Sequence, residues 1–285
     1  WLISSMVFLL LRVAPGDPVD ALLGNRASEI AKIALRNKLG LDRPLLDQYF
    51  EYIKGLLHGD LGKALINQEP VKEIINKSLP ASIELGLSAL IIALLIGFAI
   101  GLSGIAKPEG NIDFAGRIYG ISTYAIPTFW AAMLVQIIFS VLLGWLPVGG
   151  RFPPSMTQPE GTGFLVFDCI RNNDWECLHG SIQHLILPAC TLGVLLSGIF
   201  SRTLRLNLSQ IIKTDYIEAA RIRGLKKSHI IIKHALPNAL LPVLTIIGIT
   251  IASLIGGVLL IEVTFSWPGI ALRLQEAISQ RDYPV

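Results

Sequence analysis

Charge is scarce in this chain. Of its 285 residues, 52% are hydrophobic and only 16% are Asp, Glu, Lys or Arg, where soluble domains carry about 25%. The shortfall is concentrated. Residues 85–106, 118–146, 185–201 and 235–261 hold no charged side chain at all. A bilayer core takes roughly 20 apolar residues as helix, and one charge at its centre costs about 2.5–3.5 kcal/mol on insertion scales. Three of the four runs reach that length, and the run at 185–201 reaches it once His184 and its ends are counted. The alternating ten-residue pattern of a membrane barrel is missing. The composition therefore predicts an all-α membrane protein.

Other absences exclude functions. With three cysteines, no CxxC and no Cys/His cluster, the sequence offers no metal site. No acid or base lies inside the charge-free runs, where proton relays and voltage sensors place theirs, so energy is expected to enter from elsewhere. No convergent nucleophile, base and orienting group can be picked out, so no catalytic residue is assigned. His184, at a run boundary, reads as an interfacial or capping residue. Internal repeats and low-complexity segments are lacking. A net charge of +3 is too weak to argue for nucleic acid.

The charge that is present is sorted. Segment 202–233 holds Arg202, Arg205, Lys213, Arg221, Arg223, Lys226, Lys227 and Lys233 against Asp215 and Glu218. Segment 147–184 holds Arg151 and Arg171 against Glu160, Asp168, Asp174 and Glu176. The positive-inside rule puts the first in the cytoplasm and the second outside. The spans then alternate, and segment 15–80 falls outside. Residues 1–11 are too short to span alone and read as the outer half of a first helix, and the sequence stops at Tyr283-Pro284-Val285 just as a polar segment ends, so both terminal helices are expected to be incomplete. Cys190 lies in a span as a small apolar residue. Cys169 and Cys177 flank an acidic stretch of the outer loop. They form a disulfide if the compartment oxidises them, or two free thiols if not.

Segment 15–80 shows helical spacing three times: Ile30, Ile33, Ala34 and Leu35 with Gly40 as a stop; Leu45, Tyr49, Tyr52, Ile53, Leu56 and Leu57; and Val71, Ile74, Ile75 and Leu79. Each stripe must lie on something, either the span tops and interfacial layer or an external partner. Within the spans, Pro127, Pro188, Pro237 and Pro242 each remove a backbone hydrogen bond. Gly97 and Gly101, like Gly193 and Ser197, stand one turn apart, a spacing that lets helix backbones meet.

The stretch from Asp215 to Gly224 carries the most information. Helix 185–201 runs on past about residue 206 without a breaker, and Gly224 fits a helix stop. A second helical piece is expected at about 227–235, ending before Pro237. The 207–234 segment is thus a helical elbow in the cytoplasm. It either folds back on its own bundle or offers Ala219 and Ala220 to another backbone.

Glu218-Ala219-Ala220, then Gly224, then Leu236-Pro237 resembles the "EAA" loop of ABC-importer permeases. That pattern has Ile where this chain has His234. The likeness extends along the chain through Pro15-Gly16-Asp17-Pro18-Val19, Leu39-Gly40-Leu41-Asp42-Arg43-Pro44 and Gly59-Asp60-Leu61-Gly62. It continues in Ile126-Pro127-Thr128-Phe129-Trp130, Gly144-Trp145-Leu146-Pro147, Phe265-Ser266-Trp267-Pro268-Gly269 and Arg281-Asp282-Tyr283-Pro284-Val285. It is the dipeptide/oligopeptide/nickel branch, the first of its two membrane subunits, that the chain is similar to.

The resemblance implies the type I importer fold with about six helices: spans near 85–106, 118–146, 185–206 and 235–262 after a partial first helix at 1–14 and an external segment at 15–80. It implies a multi-pass protein of the bacterial inner membrane that is not an enzyme. Its expected partners are a second homologous permease, two ATP-binding subunits that bind ATP and Mg, and an extracytoplasmic substrate-binding protein. Glu218, Ala219, Ala220, Arg221 and Gly224 are the expected ATPase-coupling residues. Members of the branch handle peptides, nickel chelates and glutathione-like molecules, and no substrate-binding residue stands out. The rival class, an ion-coupled secondary carrier, would need inverted repeats with broken helices and a coupling carboxylate.

Overall fold

The computed structural model describes residues 1–13, 19, 23, 27–104, 110–255, 258–280 and 282. The chain divides into two units, one of residues 1–78 with 272–285 and one of residues 79–271. Among the described residues there is no strand, only an isolated bridge between Lys63 and Pro70.

The first unit holds α1 (Leu2–Val13), α2 (Glu29–Leu39) and α3 (Leu45–Leu57). Ser28 caps α2 by accepting the Ala31 N–H, and Gly40 closes it with φ +65°, a left-handed value that costs glycine nothing. The α3 stripe finds part of its cover in α1. Phe8 packs edge-on against Tyr49 and stacks on Tyr52, each at 5.4 Å, and Ser5 bonds the Tyr49 hydroxyl. Leu46, Phe50 and Leu57 stay exposed. The Asp282 carboxylate accepts the Leu65 N–H at 2.8 Å. The Pro15–Val19 motif lies outside the described residues except for Val19, as does the 281–285 motif except for Asp282.

The second unit is built on α4 (Val71–Ser103, from Leu79 onward), α5 (Asn111–Ala125), α6 (Thr128–Gln136, prolonged by the π-turn Ile137–Leu142), α7 (Leu165–Arg171) and α8 (Trp175–Ile211). After these come α9 (Asp215–Ile222), α10 (Lys227–His229, prolonged by the π-turn Ile230–Ala235), α11 (Leu236–Ile255), α12 (Leu259–Thr264) and the start of α13 (Ile270–Gln280). Residues 71–103, 175–211 and 227–255 are long and apolar enough to cross a membrane.

The elements depart from the sequence reading in physically instructive ways. The short helix at 71–79 and the span from 85 are one helix, because Pro80 removes a single bond while Ala81 and Leu85 are fully buried and hold the turn. The run at 118–146 is two helices bent by 98°. Pro127 has no N–H, and Ile126 before it is extended, at φ −78°, ψ 123°, as a pre-proline residue prefers. The elbow's second piece does not end before Pro237. A π-turn widens the helix just ahead of that proline, which keeps the ring from the preceding carbonyls, and the helix runs on to Ile255.

Small residues set the packing of α4 on α8. A Cβ on Gly97 would lie 2.8 Å from the Phe200 Cβ and 3.0 Å from the Ser197 carbonyl, and one on Gly193 would lie 2.9 Å from the Ala89 carbonyl. Lipid is as apolar as leucine, so contact at van der Waals range drives association in a bilayer. Around this seam the core gathers Leu85, Phe200, Leu204, Leu208, Val243 and Trp267.

Candidate functional site

At one end of α8 stands the elbow. Helix α9 is short, and its face is divided. Ile217 and Ala220 are buried in the core of the unit, while Asp215, Tyr216, Glu218, Ala219 and Arg221 are exposed. The sequence reading left two possibilities, an elbow folded back on its own bundle or one offering both alanines to another backbone; in the structure Ala220 is buried and Ala219 is exposed. Ala220 seats α9 on its own bundle, and Ala219 looks outward. The reason is periodicity: Ile217 and Ala220 are three apart and share a face.

Gly224 follows with φ +77° and open space around it. The Leu225 N–H reaches back to the Ala220 carbonyl at 3.4 Å and the Gly224 N–H to the Arg221 carbonyl at 3.0 Å, closing the helix in the manner of a Schellman cap. Asn238 Nδ2 donates to the Tyr216 hydroxyl at 2.9 Å, tying α9 to α11. His234 lies on the π-turn. Its ring is 5.6 Å from that of His229, five residues earlier and so on the same side of a π-turn.

The other end of α8 carries a polar cluster that the sequence reading missed. Glu84, in α4, and Arg151 are each only 8% exposed and form an ion pair. Arg151 donates through Nε at 3.1 Å and Nη2 at 2.6 Å to Glu84 Oε2, and Nη2 also donates to the Gly163 carbonyl at 2.7 Å. Glu84 Oε1 accepts the Val166 N–H at 2.8 Å. The guanidinium lies 5.8 Å from the centroid of Trp267, whose Nε1 donates to the Ala81 carbonyl. Both charged groups are thus paired and hydrogen-bonded, the condition under which a buried charge is tolerated. Glu84 stands in the long helix α4, one residue before the charge-free run 85–106.

Glu262, buried at 1%, accepts from Ser82 Oγ at 2.6 Å. Glu84 and Glu262 escaped notice because each adjoins a charge-free run by one residue. A charge at such an edge with apolar residues on both sides was the available signal.

Around Arg151 a compact lobe is folded from residues 149–178. Asp168, buried, accepts the Thr162 N–H and hydroxyl and the Gly163 N–H. Burial pushes its carboxyl up, but these donors outweigh burial and hold it below the usual aspartate range. Cys169 and Cys177 are bonded to each other, and Asp174 caps α8 through the Cys177 N–H. His184 Nδ1 donates to the Gly149 carbonyl at 3.0 Å, a bracing contact. At the α5–α6 bend, Ser122, Ala125, Ile126, Pro127, Phe129 and Trp130 line an open cleft of about 470 Å³. No group of three or more metal-ligating side chains occurs among the described residues.

Residues 89–285 match the family described as "Binding-protein-dependent transport system inner membrane component", and residues 1–86 match its N-terminal counterpart. The chain is 39% identical over 280 residues to the dipeptide transport system permease protein of Alkalihalophilus pseudofirmus, covering 98% of this chain and 84% of that one. It is 36% identical over 284 residues to the di/tripeptide transport system permease protein of Pseudomonas aeruginosa, covering 99% and 84%. It is 32% identical over 284 residues to the glutathione transport system permease protein of Salmonella choleraesuis, covering 100% and 84%. The all-helical membrane fold is that of the type I importer permeases. With both matches accounting for nearly every residue, the chain belongs to the inner-membrane permease components of binding-protein-dependent ABC importers.

Proposed function

We propose that the chain forms half of a translocation pathway for peptides or related small solutes, with a second permease of similar fold forming the other half. An ATPase subunit docks on α9, and the closure of the two ATPase subunits on ATP moves it. An extracytoplasmic binding protein delivers the solute at the opposite face, where the 147–184 segment lies by its acidic balance. The observation that carries this reading is the divided face of α9: Ile217 and Ala220 anchor it inward while Glu218, Ala219 and Arg221 are presented outward. A helix fixed on one side and bare on the other suits a transmitted push, and the two conformations of the bundle are then biased by nucleotide and solute.

Peptides are favoured as solutes because the di/tripeptide and dipeptide relatives are the more similar ones. Glutathione, itself a modified tripeptide, fits the same architecture. The test uses the assembled complex in liposomes. Ala219→Leu and Gly224→Val are expected to leave insertion intact, to weaken retention of the ATPase subunits and to uncouple ATP hydrolysis from uptake. Gly224→Val acts through its φ, which a β-branched residue cannot adopt without strain. Full uptake by both variants would reject the docking role.

A further inference from the structure

We propose that Glu84 and Arg151 are positioning residues for transport, fastening the 149–178 lobe to the membrane helix α4 so that an event on the lobe is passed into the bundle. The proposal rests on the function proposed above. Three observations carry it. First, the pair joins segments far apart in sequence, since Glu84 belongs to α4 and Arg151 to the lobe, and Glu84 also receives the Val166 N–H at the start of α7. One carboxylate therefore holds both the entry and the middle of the lobe.

Second, the lobe is internally braced. Arg151 holds the Gly163 carbonyl, Asp168 holds Thr162 and Gly163, and the Cys169–Cys177 bond ties α7 to the first turn of α8. It has little freedom to absorb a push. Its surface meanwhile exposes Phe167, Ile170 and Trp175, aromatic and aliphatic groups of the kind that anchor protein contacts. Third, a buried ion pair is a poor way to gain stability, since an apolar pair of similar volume often does as well. Its best-attested use is to fix one arrangement against others. Here the arrangement fixed is lobe against α4.

The proposal separates two tasks that a structural pair would not separate. ATP hydrolysis without solute should not need the lobe, whereas the response to the loaded binding protein should. The experiment uses the full importer in nanodiscs with its own binding protein loaded with a di- and tripeptide mixture. In the wild type, ATPase activity must rise when the binding protein is added; if it does not, the proposed function fails first. Two variants then test the pair. Glu84→Gln with Arg151→Gln removes both charges, so neither is left unpaired. Arg151→Lys keeps the charge but loses the planar fork that serves Glu84 and Gly163 together. Both are expected to assemble with unchanged basal hydrolysis. The response should fall to the basal rate in the double variant and be reduced in Arg151→Lys. Should the double variant not assemble, Arg151→Lys decides alone. A wild-type response in either assembled variant would overturn the inference while leaving the transport reading intact.

Discussion

Ser82 Oγ donates to Glu262 Oε1 at 2.6 Å, and the same hydroxyl accepts the Ile270 N–H at 2.8 Å. One serine of α4 thus joins α12 to the start of α13. Gly269 completes the arrangement, since a Cβ there would collide with the Glu262 carboxyl. Ser82→Ala removes one hydrogen bond from the buried Glu262 carboxylate and the side-chain acceptor of the part-buried Ile270 N–H, a loss of about 1 kcal/mol or more. Gly269→Ala should cost at least as much, because the crowded group is itself buried and cannot swing away. Thermal unfolding of the purified subunit in detergent, followed by loss of monodispersity, should show both variants below wild type. Equal stability of both would show that the serine contact and the close approach of Gly269 add nothing to this junction.

The seam between α4 and α8 makes a sharper prediction. Gly97→Leu would drive a side chain into Phe200 and the Ser197 carbonyl, and overpacking of this kind typically costs about 1–3 kcal/mol. Gly248 is a fair control, because nothing lies near the Cβ it would carry. Gly97→Leu is expected to lower the yield of folded, membrane-inserted protein, and Gly248→Leu to leave it unchanged. Folded yield measured by fluorescence-detected gel filtration distinguishes them.

Asp168 gives the lobe an acid sensitivity of known sign. Its folded pKa lies below the ordinary aspartate value, because the donors from Thr162 and Gly163 outweigh burial. A depressed carboxylate contributes stability that is whole above the unfolded value and drains away as pH falls toward the folded one. Hydrogen exchange of amides 162–170 should therefore show constant protection, after correction for the intrinsic rate, from neutrality down to the ordinary aspartate range. Protection should fall below that range. Asp168→Asn should reduce protection at neutral pH and flatten the acid response. A variant that keeps the wild-type profile would place the acid-sensitive group elsewhere.

Much of this architecture is legible in the sequence. The charge-free runs found the spans, because the bilayer penalises charge regardless of fold. The end of α2 was legible because Gly40 acts through its own backbone, at φ +65°. The pairs Gly97/Gly101 and Gly193/Ser197 pointed to close helix approach, and the seam forms there. What stayed hidden depends on partners distant in the chain. Glu84 looked like the polar edge of a run until Arg151, 67 residues later, made it an interior residue. Pro127 and Pro237 looked alike, yet one breaks its helix and the other is absorbed by a π-turn. Ala219 and Ala220 are chemically identical, and only the phase of α9, fixed by the seating of Ile217, tells them apart.

Helix α8 has 37 residues, which at 1.5 Å each is a rod of about 55 Å. The hydrocarbon layer it crosses is only about 30 Å thick. Close to half of the rod therefore stands in water or headgroups. Its first turn carries the sulfur bridge, and its last leads directly into α9. A rod pivoting where the membrane grips it converts angle into travel at its tips. A tilt of about 10° shifts one tip relative to the other by about 10 Å on that length, far more than a side-chain contact spans. Overhanging length gives small rotations in the bilayer mechanical advantage outside it.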